Sequence, residues 1–174
     1  GGPGFSLVFA ALLVLGLLEN GGVMLYRFYL DTSVIGGVFD PEFRVSGRVF
    51  IEEVMARGDQ FIVSPLVLDE IRSAPPRVGA YLDSLGSHTK VWIPDARVAI
   101  LRDAYIESGI ITPKWLSDAT HVAIATVSMC RAIVSWNYKH IVHMDKIPRY
   151  NEVNRRHGYE DIAIHTPDEV LNYG

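Results

Sequence analysis

The chain has 174 residues, of which 49% are hydrophobic and 21% are charged, and its formal net charge is -4. This length suits one domain with a sizeable core, and the composition is that of a globular protein. The negative net charge excludes a global basic field that would attract nucleic acid, so a nucleic-acid substrate would have to be held by metal ions or a local basic rim.

The first 23 residues differ from the rest of the chain. The apolar run of residues 5–18 is shorter than the roughly 20 residues that a membrane-spanning helix needs, and residues 1–4 lack the basic side chain that begins a signal peptide. We expect Met24 to be the natural start, with residues 1–23 a cloning or upstream-reading artefact or an added surface helix. A weak membrane or partner anchor is the alternative, and stable membrane insertion is not expected. The single cysteine, Cys130, fits a reducing compartment, so we expect a cytoplasmic protein.

Short apolar runs alternate with helical patterns along residues 24–174, which we interpret as one domain. The runs predict strands at residues 28–30, 61–63, 89–93, 131–136 and 162–164. Apolar spacing and capping residues predict helices over residues 42–57, 64–71, 78–85, 95–105, 114–130 and 146–157, with single helical turns at 138–142 and 168–171. This alternation predicts a three-layer α/β/α sandwich with a mainly parallel, Rossmann-like sheet.

The stretch of residues 28–35 places an acid where a buried strand ends. Asp31 follows the strand, and the hydroxyl residues Thr32 and Ser33 follow Asp31. Ligands of open α/β sheets bind outside the carboxyl ends of the strands, so this carboxylate is a candidate site residue. The alternative is that Asp31 merely caps the next helix, because Asp, Thr and Ser are all favourable N-cap residues.

Two further acids lie on helices beside predicted core faces. Glu70 lies next to the stripe formed by Val67 and Ile71, so it borders the core face unless it is an ordinary solvated acid. Asp118 lies near the start of a helix that is apolar nearly all round. An inward carboxylate there needs partners, whereas an outward one would stabilise the helix macrodipole. We interpret His121 on the same helix as a hydrogen-bonded core histidine.

Asn137 follows the predicted strand of residues 131–136, at the same carboxyl edge of the sheet as Asp31. Clustered carboxylates repel one another unless a cation or protons compensate their charge. Hard oxygen ligands suit Mg²⁺ or Mn²⁺, which bind a few carboxylates and keep waters for a phosphate substrate. The sequence therefore predicts a divalent-metal site suited to phosphate chemistry.

Four segments resemble the successive motifs of the PIN-domain family, and VapC-like toxins of bacterial and archaeal toxin–antitoxin pairs have the most similar pattern. The segments are YLDTSVIGG, SPLVLDEI, SDATHVAIAT and IVSWNYKHI, and the resemblance extends from residue 25 to the carboxyl end. It implies a PIN-like fold and a Mg²⁺- or Mn²⁺-dependent endoribonuclease that prefers single-stranded RNA. It also implies a homodimer and a small antitoxin protein that docks near the active site.

The resemblance assigns a catalytic role to four residues. Asp31, Glu70 and Asp118 match the metal-binding acids, with Asp69 as a less favoured substitute for Glu70. Asn137 stands at the fourth position, where many members have aspartate, and an amide offers a neutral oxygen without charge. We therefore expect one well-bound ion, with a second recruited with substrate or the activity weakened. The residues expected to contact the site or the substrate are Thr32, Ser33, Ser135, Lys139 and His140.

The expected reaction is hydrolysis of an RNA phosphodiester by a water activated at the ion. Arg149, Arg155 and Arg156 are further candidates for phosphate contacts, with a solvated face as the alternative. An aspartyl-phosphate phosphohydrolase would need a second Asp where Ser33 stands, and a dinucleotide-binding module would need G-x-G-x-x-G after the first strand. The stronger alternative, because of Asn137, is a PIN-fold RNA- or partner-binding module that has lost cleavage.

Overall fold

The computed structural model describes residues 25–173, and the prediction for residues 1–23 lies outside this range. Five parallel strands form one sheet in the order β3-β2-β1-β4-β5. They are β1 (Arg27–Leu30), β2 (Gln60–Val63), β3 (Thr89–Val91), β4 (Ala132–Val134) and β5 (Ala163–His165). The parallel sheet expected from the sequence is confirmed, and the strand ends lie within two residues of the predicted ones.

Eight α-helices connect and cover the strands in the described part of the chain. They are α1 (Thr32–Gly37), α2 (Arg44–Ala56), α3 (Pro65–Arg72), α4 (Pro76–Ser84), α5 (Ala96–Glu107), α6 (Leu116–Val127), α7 (Ile147–Arg156) and α8 (Pro167–Tyr173), with short 3-10 helices at Gly86–His88 and Pro113–Trp115. Helices α5, α6 and α7 pack together, whereas α1, α2, α3, α4 and α8 form a second group. The two groups cover the two faces of the sheet, as predicted. Within residues 25–173, no helix has the length and hydropathy needed to cross a bilayer.

The elements follow from local sequence. Tyr29 in β1 and Ile133 and Val134 in β4 are fully buried, because parallel strands covered on both faces consist of continuous apolar runs. Helix α3 begins where predicted, since Ser64 accepts a hydrogen bond from a backbone N–H of the first turn and Pro65 occupies the first helical position.

Strand β1 lies at the centre of the sheet, where the strand order reverses. The chain passes from β1 through β2 to β3 on one side and then returns to β4 and β5 on the other side of β1. The carboxyl ends of β1 and β4 therefore border the crevice in which ligands of open α/β sheets bind. Asp31 and Asn137 follow these two strands, and the backbone N–H of Asp31 donates to the carbonyl of Val134 at 3.1 Å.

The sequence predicts a single helical turn at residues 138–142, and the structure has one hydrogen-bonded turn there that does not continue into a helix. These residues form a hydrogen-bonded turn in which the backbone N–H groups of Ile141 and Val142 both donate to the carbonyl of Asn137. Because one carbonyl serves two donors, the helical hydrogen-bond repeat does not start here. The turn instead folds back against the Asn137 side chain.

Candidate functional site

Asp31 occupies the N-cap position of α1, but its side chain makes no capping hydrogen bond. Its Oδ2 accepts hydrogen bonds from the hydroxyl groups of Ser33 and Ser135, each at 2.7 Å. Its Oδ1 lies 3.5 Å from Nε2 of His121. The interpretation of Asp31 as a mere helix cap is therefore wrong, because the carboxylate is directed to other partners. One of its oxygens has no hydroxyl donor.

Two serines that hold Asp31 also connect the loop after β4 to the start of α1. Ser135 Oγ accepts from the backbone N–H of Asn137 at 2.9 Å, and Ser33 Oγ accepts from the backbone N–H of Trp136 at 3.0 Å. Each serine thus donates to the carboxylate and accepts from the loop backbone. In this structure, Ser33 and Ser135 orient Asp31, while their contact with substrate stays a prediction.

Trp136 anchors the loop between Ser135 and Asn137. Its ring stacks on Phe43, with the ring centroids 4.4 Å apart and the planes 19° apart. A Cβ added at Gly37 would lie 2.9 Å from two atoms of the Trp136 ring. Glycine at the end of α1 therefore allows the close approach that fixes this loop beside the site.

Glu70 on α3 is held by a chain of polar groups. Its Oε1 lies 2.5 Å from Nε2 of His121, and Nδ1 of the same ring lies 2.7 Å from the Tyr29 hydroxyl. That hydroxyl lies 2.9 Å from Ser64 Oγ. The chain links β1, the start of α3 and α6, so it fixes both the His121 ring and the position of the Glu70 carboxylate.

His121 is the basic side chain that contacts the acids. Burial alone would lower the pKa of His121, but the hydrogen bond to Glu70 and the negative charges of Asp31, Glu70 and Asp118 raise it above its usual value. The expected hydrogen-bonded core histidine is confirmed, yet its partners are two of the predicted metal ligands. Its place one helical turn after Asp118 was the available sequence signal for this connection.

Asp118 and Asn137 are joined directly, since Asn137 Nδ2 donates to Asp118 Oδ1 at 3.0 Å. Asn137 Oδ1 accepts from the backbone N–H groups of Lys139 at 3.2 Å and His140 at 3.0 Å. An amide oxygen has two lone pairs, so both acceptor positions of this oxygen are used within the chain. Asn137 therefore orients Asp118 and closes the turn after β4.

The three predicted acids act on one another electrostatically. Burial raises the pKa of Asp118, and the negative charges of Asp31 and Glu70 raise it further, while His121 and the hydrogen bond from Asn137 act in the opposite direction. In residues 25–173, no lysine or arginine forms an ion pair with any of the three acids. In the described chain, His121 is therefore the basic side chain that lies against these acids.

Asp118→Asn should raise the thermal unfolding midpoint of the metal-free protein at pH 7. The pKa of Asp118 is higher in the folded state than in the unfolded state, so its ionisation disfavours the folded state. The free energy of unfolding therefore falls as the pH rises from the unfolded-state pKa through the folded-state pKa. The gain should therefore be largest at neutral pH and smallest below about pH 4, near the unfolded pKa of aspartate. Circular dichroism melts in EDTA from pH 4 to 7 measure this effect, with Asp83→Asn as the exposed control. A midpoint below that of the unmodified chain at pH 7 would contradict the repulsion inferred at Asp118.

Several other predicted residues have local partners outside the crevice. Asp69 has a side chain that is 62% exposed and pairs with Arg72, so Glu70 is the acid of α3 that faces the site. Each arginine considered for phosphate contact is engaged nearby: Arg155 with Asp161, Arg156 with Glu152 and Arg149 with the carbonyl of Ser108. These contacts favour the solvated-face interpretation of the three arginines.

A cavity of about 450 Å³ opens beside Asp118 and Asn137. Its remaining walls are formed by Lys114, Trp115, Ser117, Lys139 and His140. Lys139 and His140, two of the residues expected to contact substrate, thus border the same space as two predicted catalytic residues. Thr32, another of that set, has a buried Oγ1 without a hydrogen-bond partner in the described chain. Lys114 and Trp115 were not predicted, because nothing in their spacing links them to the turn after β4.

The described residues have donor chemistry suited to a divalent cation, but they do not gather three ligands around one point. Within residues 25–173, no three acidic, histidine or cysteine side chains lie close enough together to hold an ion. Mg²⁺ is usually held by one or two carboxylates together with waters and substrate phosphate. The acids Asp31 and Asp118 fit that mode, because no lysine or arginine neutralises them, whereas Glu70 is bound to His121. A three-ligand set of Asp31, Glu70 and Asp118 stays a prediction.

Comparison with known proteins bears on the fold. No protein-family model matches the chain, and no curated protein matches it at a significant level. The chain is similar to the crystal structure of VapBC2 from Rickettsia felis bound to a DNA fragment from their promoter. The TM-score is 0.53 at 14% identity, and the likeness covers 80% of this chain and 98% of the other. An identity this low shows a likeness of fold alone, and it agrees with the α/β arrangement expected from the sequence.

Proposed function

We propose that the protein is a metal-dependent endoribonuclease that hydrolyses RNA phosphodiester bonds and acts as the toxin of a toxin–antitoxin pair. The observation that carries the proposal is the crevice between β1 and β4. Asp31 and Glu70 both lie beside His121 there, and their charges raise the pKa of Asp118, while none of the three acids has a lysine or arginine partner in residues 25–173. Ligands of open α/β sheets bind at this position, and uncompensated carboxylates are suited to a divalent ion. The fold similarity to VapBC2 supports the same function.

In the proposal, the residues of the crevice have different roles in binding the ion and the substrate. Ser33 and Ser135 hold Oδ2 of Asp31, which leaves Oδ1 for a cation. Asn137 holds Oδ1 of Asp118, so this carboxylate is oriented before substrate arrives. A bound Mg²⁺ or Mn²⁺ would supply Lewis-acid stabilisation of the charge that develops on the phosphate.

The second acid, Glu70, has a different role in the proposal. Its carboxylate is bound to His121, and the side chain is 35% exposed. We propose that Glu70 would be a further ligand for the ion if it released His121, and that His121 would offset the charge of the acids without an ion. His121 is suited to this role because the surrounding carboxylates favour its charged form.

The proposed partners follow from the same similarity. The structure of VapBC2 is bound to promoter DNA, and a VapC-like role here implies a small antitoxin that docks near the crevice. We also propose a homodimer and a cytoplasmic location, as the family resemblance implies. A short neighbouring gene for a DNA-binding antitoxin would support this assignment.

The test is cleavage of an end-labelled single-stranded RNA by the full chain, measured with Mg²⁺, with Mn²⁺ and in EDTA. Cleavage that requires the ion and returns when EDTA is titrated with Mn²⁺ is the expected result. Binding of Mn²⁺ is measured separately, from the shift of the thermal unfolding midpoint. RNA binding without cleavage at any ion concentration would favour the second candidate function over the first.

That second candidate is a PIN-fold module that binds RNA or a protein partner without cleaving RNA. The observation that favours it is the complete use of Asn137 within the chain. Its Oδ1 accepts from two backbone N–H groups, and its Nδ2 donates to Asp118. The fourth site position therefore offers neither a negative charge nor a free oxygen to an ion.

A further inference from the structure

One wall of the cavity beside Asp118 carries two cations arranged around an aromatic ring. The ammonium nitrogen of Lys114 lies 5.1 Å from the centroid of Trp115, and that of Lys139 lies 5.5 Å from it. Neither lysine forms an ion pair in the described part of the chain. Cation–π attraction therefore holds two uncompensated positive charges at the cavity wall.

The ring that carries these lysines is itself fixed. Trp115 packs against His140 in a tilted arrangement, with the ring centroids 4.2 Å apart and the planes at 31°. His140 is 7% exposed, and its backbone N–H donates to Asn137 Oδ1 at 3.0 Å. The aromatic platform is thus joined to the turn after β4, and its position relative to the acids follows from that turn.

His140 also presents an unsatisfied buried nitrogen at this wall. Burial lowers the pKa of His140, and the charges of Lys146 and Lys139 lower it further. The Lys146 ammonium lies 3.3 Å from Nδ1. Because an ammonium only donates, Nδ1 accepts and the ring proton is assigned to Nε2. Nε2 is buried and has no hydrogen-bond partner in residues 25–173.

The same cavity is also lined by Asp118 and Asn137. It therefore borders a carboxylate of the proposed reaction site as well as two ammonium groups. The whole chain has a net charge of -4, so these two positive charges are a local feature and not part of a general positive surface. A phosphate group bound beside the acids would find its counter-charges at these two lysines.

We propose that the cavity is a phosphate subsite, in which Lys114 and Lys139, held by Trp115, bind the RNA phosphodiester next to the one that is cleaved. The identity of the ligand as RNA rests on the proposed function, but the subsite does not depend on cleavage. Lys114 and Lys139 contact the phosphate, and Trp115 positions them. Ser117, on the same wall, adds a hydroxyl donor.

The salt dependence of RNA binding tests the subsite. We measure binding in two backgrounds without cleavage: the full chain carrying Asp31→Asn, and the unmodified chain in EDTA. Each is titrated with a fluorescent single-stranded RNA over a series of KCl concentrations. Each phosphate contact on a single strand contributes about -0.7 to the slope of log K against log salt. Lys114→Gln with Lys139→Gln should make the slope less negative by about 0.7 to 1.4 and raise Kd about tenfold or more at low salt.

Two further variants separate this subsite from general charge and from folding. Lys90→Gln removes an exposed lysine on β3, the strand at the far edge of the sheet, and should leave slope and Kd nearly unchanged. Trp115→Leu keeps both charges but removes their platform, so it should raise Kd while the slope changes little. Circular dichroism checks that each variant is folded.

The outcome is independent of whether the protein cleaves RNA. If the double variant of Lys114 and Lys139 has the same salt slope and the same Kd as Lys90→Gln, that result would overturn the subsite, even if the unmodified chain is an active nuclease. A reduced slope in a chain that never cleaves RNA would support the subsite and overturn the nuclease. If cleavage is observed, the double variant should raise KM by a larger factor than it lowers kcat.

Discussion

Asp31→Asn should abolish metal-dependent RNA cleavage, with a loss of at least about 10³-fold, or about 4 kcal/mol of transition-state stabilisation. Asp31 places a carboxylate at the end of the central strand, with Oδ2 held by two hydroxyls and Oδ1 3.5 Å from Nε2 of His121. The amide keeps the shape and one acceptor oxygen but removes the charge that attracts the ion. The fold should survive, because the change also removes repulsion with Asp118.

The measurement is the single-turnover cleavage rate of an end-labelled RNA at saturating Mn²⁺, together with a thermal melt of each protein. Asp69→Asn is the matched control, since it neutralises an exposed acid on α3 that pairs with Arg72, and it should retain full activity. All proteins are purified in parallel, so that contaminating nuclease contributes equally. Full activity in Asp31→Asn, after that contribution is subtracted, would refute the proposed role of Asp31.

Asn137→Asp should have the second largest effect and should act on ion binding. In the unmodified chain, Asn137 donates a hydrogen bond of 3.0 Å to Asp118. The variant places a second carboxylate at a similar distance from Asp118. Two carboxylates at this distance repel each other, so they do not both ionise readily. The metal-free protein should therefore unfold at a lower temperature at pH 7. Mn²⁺ should bind at least about tenfold more tightly, which corresponds to about 1.4 kcal/mol, because the site gains a charge.

Thermal unfolding midpoints over a Mn²⁺ titration measure both effects, since an ion that binds only the folded state raises the midpoint with its concentration. The variant should start below the unmodified chain in EDTA and gain more from Mn²⁺. Asn172→Asp on α8 adds the same charge at an exposed position and should not change the response to Mn²⁺. Equal responses of Asn137→Asp and the unmodified chain would show that position 137 does not border the ion site. Cleavage at limiting Mn²⁺ should rise with the tighter binding.

The fold could be predicted because its elements have local signals. Continuous apolar runs such as residues 131–136 indicate parallel strands, and Ser64 with Pro65 indicates a helix start. The position of Asp31 and Asn137 at one edge followed from the rule that carboxyl ends of parallel strands lie together. Each of these predictions concerns the path of the backbone, and the apolar periodicity of the sequence is sufficient to make it.

The side-chain contacts that decide the chemistry could not be predicted in the same way. The bridge from His121 to Glu70 depends on how α6 packs against α3, and apolar spacing gives the buried face of a helix but not the ring's partners. The hydrogen bonds on both sides of the Asn137 amide depend on the exact path of the turn at residues 138–142, which apolar spacing does not specify. Trp115 lies in a 3-10 helix far along the chain from His140, so its packing against that ring is visible only in three dimensions.

Asp31 and the two cavity lysines lie on parts of the backbone that differ in how they are hydrogen-bonded. Asp31 extends from a strand that has a hydrogen-bonded strand on each side, whereas Lys114 and Lys139 come from a 3-10 helix and a turn outside the sheet. Substitutions at the second group leave the sheet's ladder untouched. The charge beside the crevice can therefore change in evolution with little effect on the free energy of unfolding, while the strand that carries Asp31 is retained.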